Sequence, residues 1–359
     1  MSTSSLRILI AGGGTGGHVI PALAIARELR DRYAAEVRFV GTARGLETKL
    51  VPEAGFALEL IHVGQLKNVS LATRLRTLAD LPLGMLRCIS LLRQFRPSVV
   101  IGVGGYASGP AMMAAILLRI PTLAFEPNAA PGLANRLIGR MVSAAAVNFA
   151  PTRSFFRNAR VTGIPVRREF FELEPKQGGS LRLLVFGGSQ GAQVLNRVMP
   201  SVAGPLLDEF PELEIVHQAG GRHGESTLAA YVSAGVTSSR VRIQPYLDAM
   251  VEEIAAADLI LCRSGASTVA ELAAAGKPSV LVPFAAAADD HQRKNADVLA
   301  EAGAAVLILE AALSPETLLP ELRRLLADPA ARARMSAAAR TLAHADATAQ
   351  IAAMCVALA

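Results

Sequence analysis

The segment Leu6-Arg7-Ile8-Leu9-Ile10-Ala11-Gly12-Gly13-Gly14-Thr15-Gly16 returns in altered form as Leu181-Arg182-Leu183-Leu184-Val185-Phe186-Gly187-Gly188-Ser189-Gln190-Gly191. Each copy reads as an apolar strand, a Gly-rich turn and the start of a helix, and each heads a stretch about the size of one domain. The same plan continues behind each head. Strands are expected at 6–11, 36–41, 57–62, 98–102, 121–125 and 144–148, and again at 181–186, 213–218, 241–244, 258–262, 279–283 and 305–309. Helices fit between them at 17–32, 71–95, 109–118 and 131–139, then at 190–209, 224–234, 248–256, 267–275, 291–302 and 315–327. Strict alternation of strand and helix requires parallel sheets with right-handed crossovers. The expected fold class is therefore α/β, with two doubly wound Rossmann-like domains facing a cleft. Ligands of such sheets bind beyond the carboxyl ends of the strands.

The stretch Glu172 to Ser180 has linker composition, and Gly163-Ile164-Pro165 offers an earlier boundary. The expected division is 1–163, 164–335, and a C-terminal helical segment, 336–359, long and apolar enough to pack back on the first domain. The chain is 52% hydrophobic and 18% charged, which suits helices on a Val/Ile/Leu-rich parallel sheet. A net charge of +6 points to an anionic partner. Nucleic acid is the weakest choice, because no Lys/Arg tract, aromatic sheet motif or zinc-finger spacing occurs. Cys88, Cys262 and Cys355 are scattered and read as buried hydrophobes in a reducing compartment. No apolar signal region opens the chain and no uncharged apolar run is long enough to span a membrane, so the expectation is a cytoplasmic protein.

Gly12 to Gly17 is richer in glycine than a tight turn needs. It lacks the Lys-Ser/Thr ending of a nucleotide-hydrolase loop. A dinucleotide fingerprint matches formally, but the acid it wants would be Glu36, at the start of a strand and not its end. Amides at a helix N-terminus suit an anion. His18 falls in the first turn of that helix, where the dipole disfavours the imidazolium, so a neutral general base is a candidate. Gly102 to Pro110 is a second such loop, with Pro110 at the helix start, or else a plain turn. Two anion-type loops in one domain suggest a diphosphate held at Gly13, Gly14, Gly104, Gly105 and Tyr106.

Glu126-Pro127-Asn128 follows a strand end, as a ligand-facing turn or as loop punctuation. In the second half, Gly187 to Gly191 and Cys262 to Glu271 repeat the strand-to-helix geometry. Thr268 and Glu271 form a capping box, or the helix start meets a phosphate while Glu271 reaches ribose hydroxyls. Asp289-Asp290-His291-Gln292 lacks a third ligand at metal spacing, so no metal site is expected. From Leu66 to Pro97, apolar residues recur every three or four positions, with Lys67, Arg74, Arg76, Arg87, Arg93 and Arg96 against Asp80. That pattern is an amphipathic core helix or one that docks on an anionic membrane surface.

Taken in order, Gly13-Gly14-Thr15-Gly16-Gly17-His18, Gly104-Gly105-Tyr106-x-Ser108-Gly109-Pro110, Glu126-Pro127-Asn128, Gly163-x-Pro165-Val166-Arg167, Gly187 to Ala192, Cys262 to Ala266 and Asp290-His291-Gln292 resemble the MurG family. These are the UDP-N-acetylglucosamine:undecaprenyl-diphospho-muramoyl-pentapeptide N-acetylglucosaminyltransferases of peptidoglycan synthesis. The resemblance spans essentially the whole chain. It implies a GT-B fold, an inverting β-1,4 transfer of N-acetylglucosamine to a lipid-linked acceptor, no cofactor, and a peripheral place on the cytoplasmic face of the inner membrane. It also implies donor contacts at Thr15, Gly16, Gly17, Asn128, Arg167, Ser189, Leu247, Ala266, Ser267, Thr268, Val269, Ala270, Glu271 and Gln292. Leu247 departs from the family's frequent Ile, which a backbone contact to uracil tolerates. Alternatives are another GT-B UDP-sugar transferase with a glycolipid or small-molecule acceptor, a nicotinamide-dependent oxidoreductase, and a membrane-docked sugar-nucleotide binder without activity.

Overall fold

The structure is a computed structural model that describes residues 6–63, 71–174, 176, 178–188 and 190–359, the side chains of 71–81 excepted. The chain divides into two compact units, Met1–Pro165 with His344–Ala359, and Val166–Ala343. The first runs β1 (Arg7–Ala11), α1 (Gly16–Tyr33), β2 (Glu36–Gly41), α2 (Glu47–Glu53), β3 (Ala57–Leu60), α3 (Leu71–Phe95), β4 (Val99–Gly102) and α4 (Ser108–Leu117). It continues with β5 (Thr122–Glu126), α5 (Leu133–Ile138), β6 (Ala144–Val147), a 3-10 turn (Ala150–Phe155) and β7 (Ala159–Val161). The second unit holds α6 (Arg168–Phe171), β8 (Arg182–Phe186), α7 (Gln193–Glu209), β9 (Glu214–Gln218), α8 (Gly224–Ser233), β10 (Val241–Gln244), α9 (Met250–Ala256) and β11 (Leu259–Cys262). Then follow α10 (Ala266–Ala275), β12 (Ser279–Leu281), α11 (His291–Glu301), β13 (Ala305–Leu307), α12 (Pro315–Ala327) and α13 (Pro329–Thr341), and the chain ends with α14 (Ala347–Val356) in the first unit.

The first sheet has the order β3-β2-β1-β4-β5-β6-β7 and the second β10-β9-β8-β11-β12-β13. The pairings within both sheets are parallel. Strand order reverses between β1 and β4 in one sheet and between β8 and β11 in the other. Loops leaving those neighbours diverge to opposite faces and leave a crevice at the carboxyl edge. The registers match as well: Ala11 pairs with Gly102 in the first unit, and Cys262 with Phe186 in the second. Each Gly-rich turn thus leaves its sheet level with the loop beside it. Strands β4 and β11, one at each switch, are wholly apolar because helices cover both faces; Val99, Val100, Ile101, Leu259, Ile260 and Leu261 are fully buried.

Three elements escape the sequence pattern: α2, the edge strand β7 and α6. All are too short to show a period. Helix α4 starts at Ser108, so Pro110 is its third residue and not its first. A proline in the first turn removes no intrahelical bond, which explains the tolerance. The expected tail at 336–359 is split. Asp328 caps α13 by accepting from the Ala331 amide at 2.8 Å, α13 ends at Thr341, and α14 packs against α1. Near both chain crossings, Gly163 lies so close to His344 that a Cβ there would sit 2.3 Å from the histidine Cβ. Among the described residues no helix is long and apolar enough to cross a membrane.

Candidate active site

In the first unit the two Gly-rich loops interlock. The Gly13 amide donates to Gly104 O (3.3 Å), and a Cβ on Gly105 would fall 2.3 Å from Gly13 O. Only bare backbone fits at that approach. Helix α1 starts at Gly16 with Thr15 as N-cap; the Thr15 side chain makes no cap bond, and the His18 amide donates to Thr15 O at 3.1 Å. His18 Nδ1 is 3.4 Å from Thr15 Oγ1, and a Cβ on Gly104 would meet its Nε2 at 2.9 Å. The structure therefore brings Thr15, Gly16, Gly17, His18, Gly104, Gly105 and the exposed Tyr106 to one crevice at the β1/β4 switch.

The amides at the front of the first loop have partners within the fold. Gly12 N–H donates to Val40 O, Gly13 N–H to Gly104 O, and Gly14 N–H to the carboxylate of Glu47 at 2.7 Å. All three amides at the front of the loop are thus engaged within the fold.

Strand β5 stands next to β4 and delivers Glu126 and Asn128 to the same edge. Glu126 is buried, and burial pushes its carboxyl above the usual range, against donors that pull it down. Those donors are Asn135 Nδ2 (3.0 Å), the Asn128 amide (3.0 Å), the Gly132 amide (3.1 Å) and Asn128 Nδ2 (3.2 Å). One carboxyl thus shapes the turn that presents Asn128.

In the second unit α10 begins at Ala266 with Gly265 as N-cap and no side-chain cap. Thr268 is inside the helix, so the capping-box reading fails and the first-turn amides at Ala266, Ser267 and Thr268 are left for a ligand. Glu271 sits one turn further in. Burial raises it to about 7, and the Arg167 guanidinium opposes that rise. Arg167 precedes α6, which packs on α10, and its guanidinium lies over the Phe170 ring at 5.0 Å. Val269 has a buried side chain, and its amide donates to Gly265 O at 3.0 Å. Ala270 follows it in the helix, and Leu247 is buried, so only its backbone can meet a base. Gln292 Oε1 accepts from the Phe284 amide (3.0 Å) and its carbonyl from Ser264 Oγ (2.8 Å), which ties the start of α11 to the turn before α10. Asp289 and Asp290, just before it, are both left-handed, a conformation aspartate tolerates. Ser189 lies outside the described residues.

Several supporting residues were missed by sequence reasoning. Gln218 spans two ligand-side turns, accepting from the Gly187 amide (3.4 Å) and donating to Pro245 O (3.3 Å). His217 is fully buried; its Nε2 faces Asn196 Oδ1 (3.1 Å) and its Nδ1 the Tyr231 hydroxyl (2.9 Å). Asn196 Nδ2 donates to Ala219 O, so its Oδ1 must accept and His217 Nε2 carries the proton. Burial drops His217 to about 3. Arg263 donates to Val282 O, Pro283 O and Glu310. Nothing local in the sequence marks these, since each depends on partners 14 or more positions away.

Each unit thus carries a crevice at its switch point, the first with a candidate base and the second with helix amides beside an acid and an arginine. The chain belongs to glycosyltransferase family 28: residues 8–147 match that family's N-terminal domain and residues 182–351 its C-terminal domain. It is 46% identical to the UDP-N-acetylglucosamine--N-acetylmuramyl-(pentapeptide) pyrophosphoryl-undecaprenol N-acetylglucosamine transferase of Anaeromyxobacter dehalogenans strain 2CP-1, over 98% of this chain and 93% of that protein. It is 43% identical to the protein of that name from Nitrosococcus oceani, covering 98% of both. Among solved structures, Acinetobacter baumannii MurG superposes with a TM-score of 0.83 at 30% identity, over 98% of this chain and 99% of the other.

Proposed function

We infer that this chain transfers N-acetylglucosamine from UDP-N-acetylglucosamine to the C4 hydroxyl of the muramoyl-peptide carried on undecaprenyl diphosphate, with inversion, giving the lipid-linked disaccharide of peptidoglycan synthesis. The observation that carries this reading is similarity to transferases of that name over nearly the whole chain, first unit included. A different glycolipid or small-molecule acceptor is disfavoured because the acceptor-side loops Gly12 to His18 and Gly104 to Pro110 lie within that similarity.

The chemistry follows from the groups present. The acceptor hydroxyl attacks the anomeric carbon, its proton passes to His18, and the anomeric bond to UDP breaks with its electron pair on the phosphate oxygen. A base acting through Nε2 needs its proton on Nδ1, and Thr15 Oγ1 is placed to accept it. Charge growing on UDP is met by the N-terminus of α10 and by Arg167. Glu271 takes the ribose hydroxyls, the backbone at Leu247 the uracil, and Gln292 Nε2 the sugar. The amides of Gly104 and Gly105, with Tyr106, take the acceptor diphosphate. The acceptor's lipid also places the protein against the anionic cytoplasmic face of the membrane as a peripheral enzyme.

Labelled-sugar transfer to the lipid-linked muramoyl-pentapeptide tests the reading. Transfer is expected, and it should survive a chelator because the leaving charge has its own protein groups. Absence of transfer to that acceptor would overturn the reading. His18→Ala should lower kcat about 10²- to 10⁴-fold, the range for losing a general base. Near-normal turnover at saturating substrates would remove His18 from that role.

A further inference from the structure

The carboxylate of Glu47 occupies the concave side of the Gly12–Gly14 turn, where a nucleotide phosphate would sit in a phosphate-binding loop. Glu47 is the first residue of α2 and is only 1% exposed. Three glycines from three segments close around it. A Cβ on Gly13 would lie 2.3 Å from its Cδ, one on Gly41 2.6 Å from its Cγ, and one on Gly45 1.8 Å from its Oε2. No side chain other than hydrogen fits at those positions while the carboxylate is there. Its two oxygens have different duties. Oε1 accepts from the Thr42 amide (2.9 Å) and the Thr42 hydroxyl (3.0 Å), which anchors the group to the end of β2. Oε2 accepts from the Gly14 amide at 2.7 Å, the short distance of a charge-assisted bond. Leu46 N–H donates to Gly14 O at 3.1 Å, so both polar groups of Gly14 are held from the α2 side. Gly14 is followed by Thr15, the N-cap of α1, and His18 lies one turn on.

We propose that Glu47 is a positioning residue for the transfer reaction: it fixes Gly14 and so sets where Thr15 to His18 face the acceptor. This rests on the reading given under Proposed function. Glu47→Gln separates the two oxygens. The glutamine carbonyl can keep both Thr42 bonds, but its NH₂ then confronts the Gly14 N–H, donor against donor. Thr42→Val removes only one bond on the anchoring side.

The test is steady-state transfer with both substrates varied, together with the pH profile of kcat. Wild-type transfer checks the functional reading first; its absence would sink that reading independently of Glu47. With wild type active, Glu47→Gln is expected to raise the acceptor KM at least fivefold and to move the limb of the kcat profile governed by His18. Thr42→Val should remain close to wild type. A Glu47→Gln enzyme with unchanged acceptor KM and pH profile would overturn the proposal, even if kcat falls, because a lower active fraction alone does that. Gly45→Ala, which displaces the carboxylate without changing it, should reproduce the Glu47→Gln kinetics. If both variants fail to fold, Glu47 is a stability residue and the positioning role is wrong.

Discussion

Glu271 is a carboxyl on which burial and a neighbouring charge act in opposite directions. Burial raises it to about 7 while Arg167 pulls it down. An acid raised on folding binds its proton more tightly in the native state, so its contribution to stability falls as pH rises from the ordinary carboxyl range to about 7 and is flat above. Donor binding should run the other way if, as proposed, the ionised form accepts from the ribose hydroxyls. The KM for UDP-N-acetylglucosamine is expected to fall about ninefold between pH 6 and pH 8, as the ionised fraction rises from roughly a tenth to nine tenths. Glu271→Gln should flatten that dependence, and Arg167→Gln should move its midpoint upward. A KM independent of pH in the wild-type enzyme would contradict this role. Glu271 was legible in the sequence because it follows a strand end and a helix start within ten positions. Glu47 was not, because its burial is made by Gly13, Gly41 and Gly45 folding back from separate loops.

At the scale of elements, α3 packs on α4 and α4 on α5, and these helices expose apolar side chains where a soluble surface would be polar. Leu83 is 68% exposed, Leu86 61%, Leu117 63% and Leu137 67%. Five arginines (Arg136, Arg140, Arg153, Arg157 and Arg160) lie between residues 127 and 161, with no acidic residue among them. Exposed leucines and a run of arginines in one unit are the groups that contact with an anionic bilayer surface would use. Leu83→Gln with Leu86→Gln should reduce co-sedimentation with anionic vesicles at least fivefold and leave UDP-N-acetylglucosamine binding unchanged. Equal sedimentation of variant and wild type would move membrane contact elsewhere. The sequence presented the long amphipathic helix but left core and membrane readings level, because periodicity locates an apolar stripe without saying what covers it. Leu66 and Lys67 of that stretch lie outside the described residues, as do the side chains through Leu81. The short elements were invisible for a related reason: β7 has three residues and α2 seven, less than two periods of a helix.

At the scale of the whole molecule, the alternation of strand and helix was enough to give two parallel sheets, since βαβ units have one handed solution. The return of the C-terminus was only suggested by an apolar tail. Its helix α14 buries Ile351, Ala352, Met354 and Cys355, and it packs on α1, the helix that starts at the candidate base. Burying side chains the size of Ile351 and Met354 contributes about 1.5–3 kcal/mol each. Deleting His344–Ala359 is therefore expected to lower the melting temperature of the first unit sharply. The second unit, complete within Val166–Ala343, should keep a transition that UDP-N-acetylglucosamine shifts upward. A single unchanged transition in calorimetry would show that α14 is dispensable.

The same helix gives the molecule an order of birth. A ribosome releases the chain from the N-terminus, yet the unit encoded first is the one that finishes last. The donor-side unit is contiguous and can close as soon as Ala343 has emerged. Helix α1 must wait for the last sixteen residues, with the apolar face that α14 will cover open to solvent. A chain folding as it is made therefore passes through a stage in which the second unit is complete while the first still lacks α14.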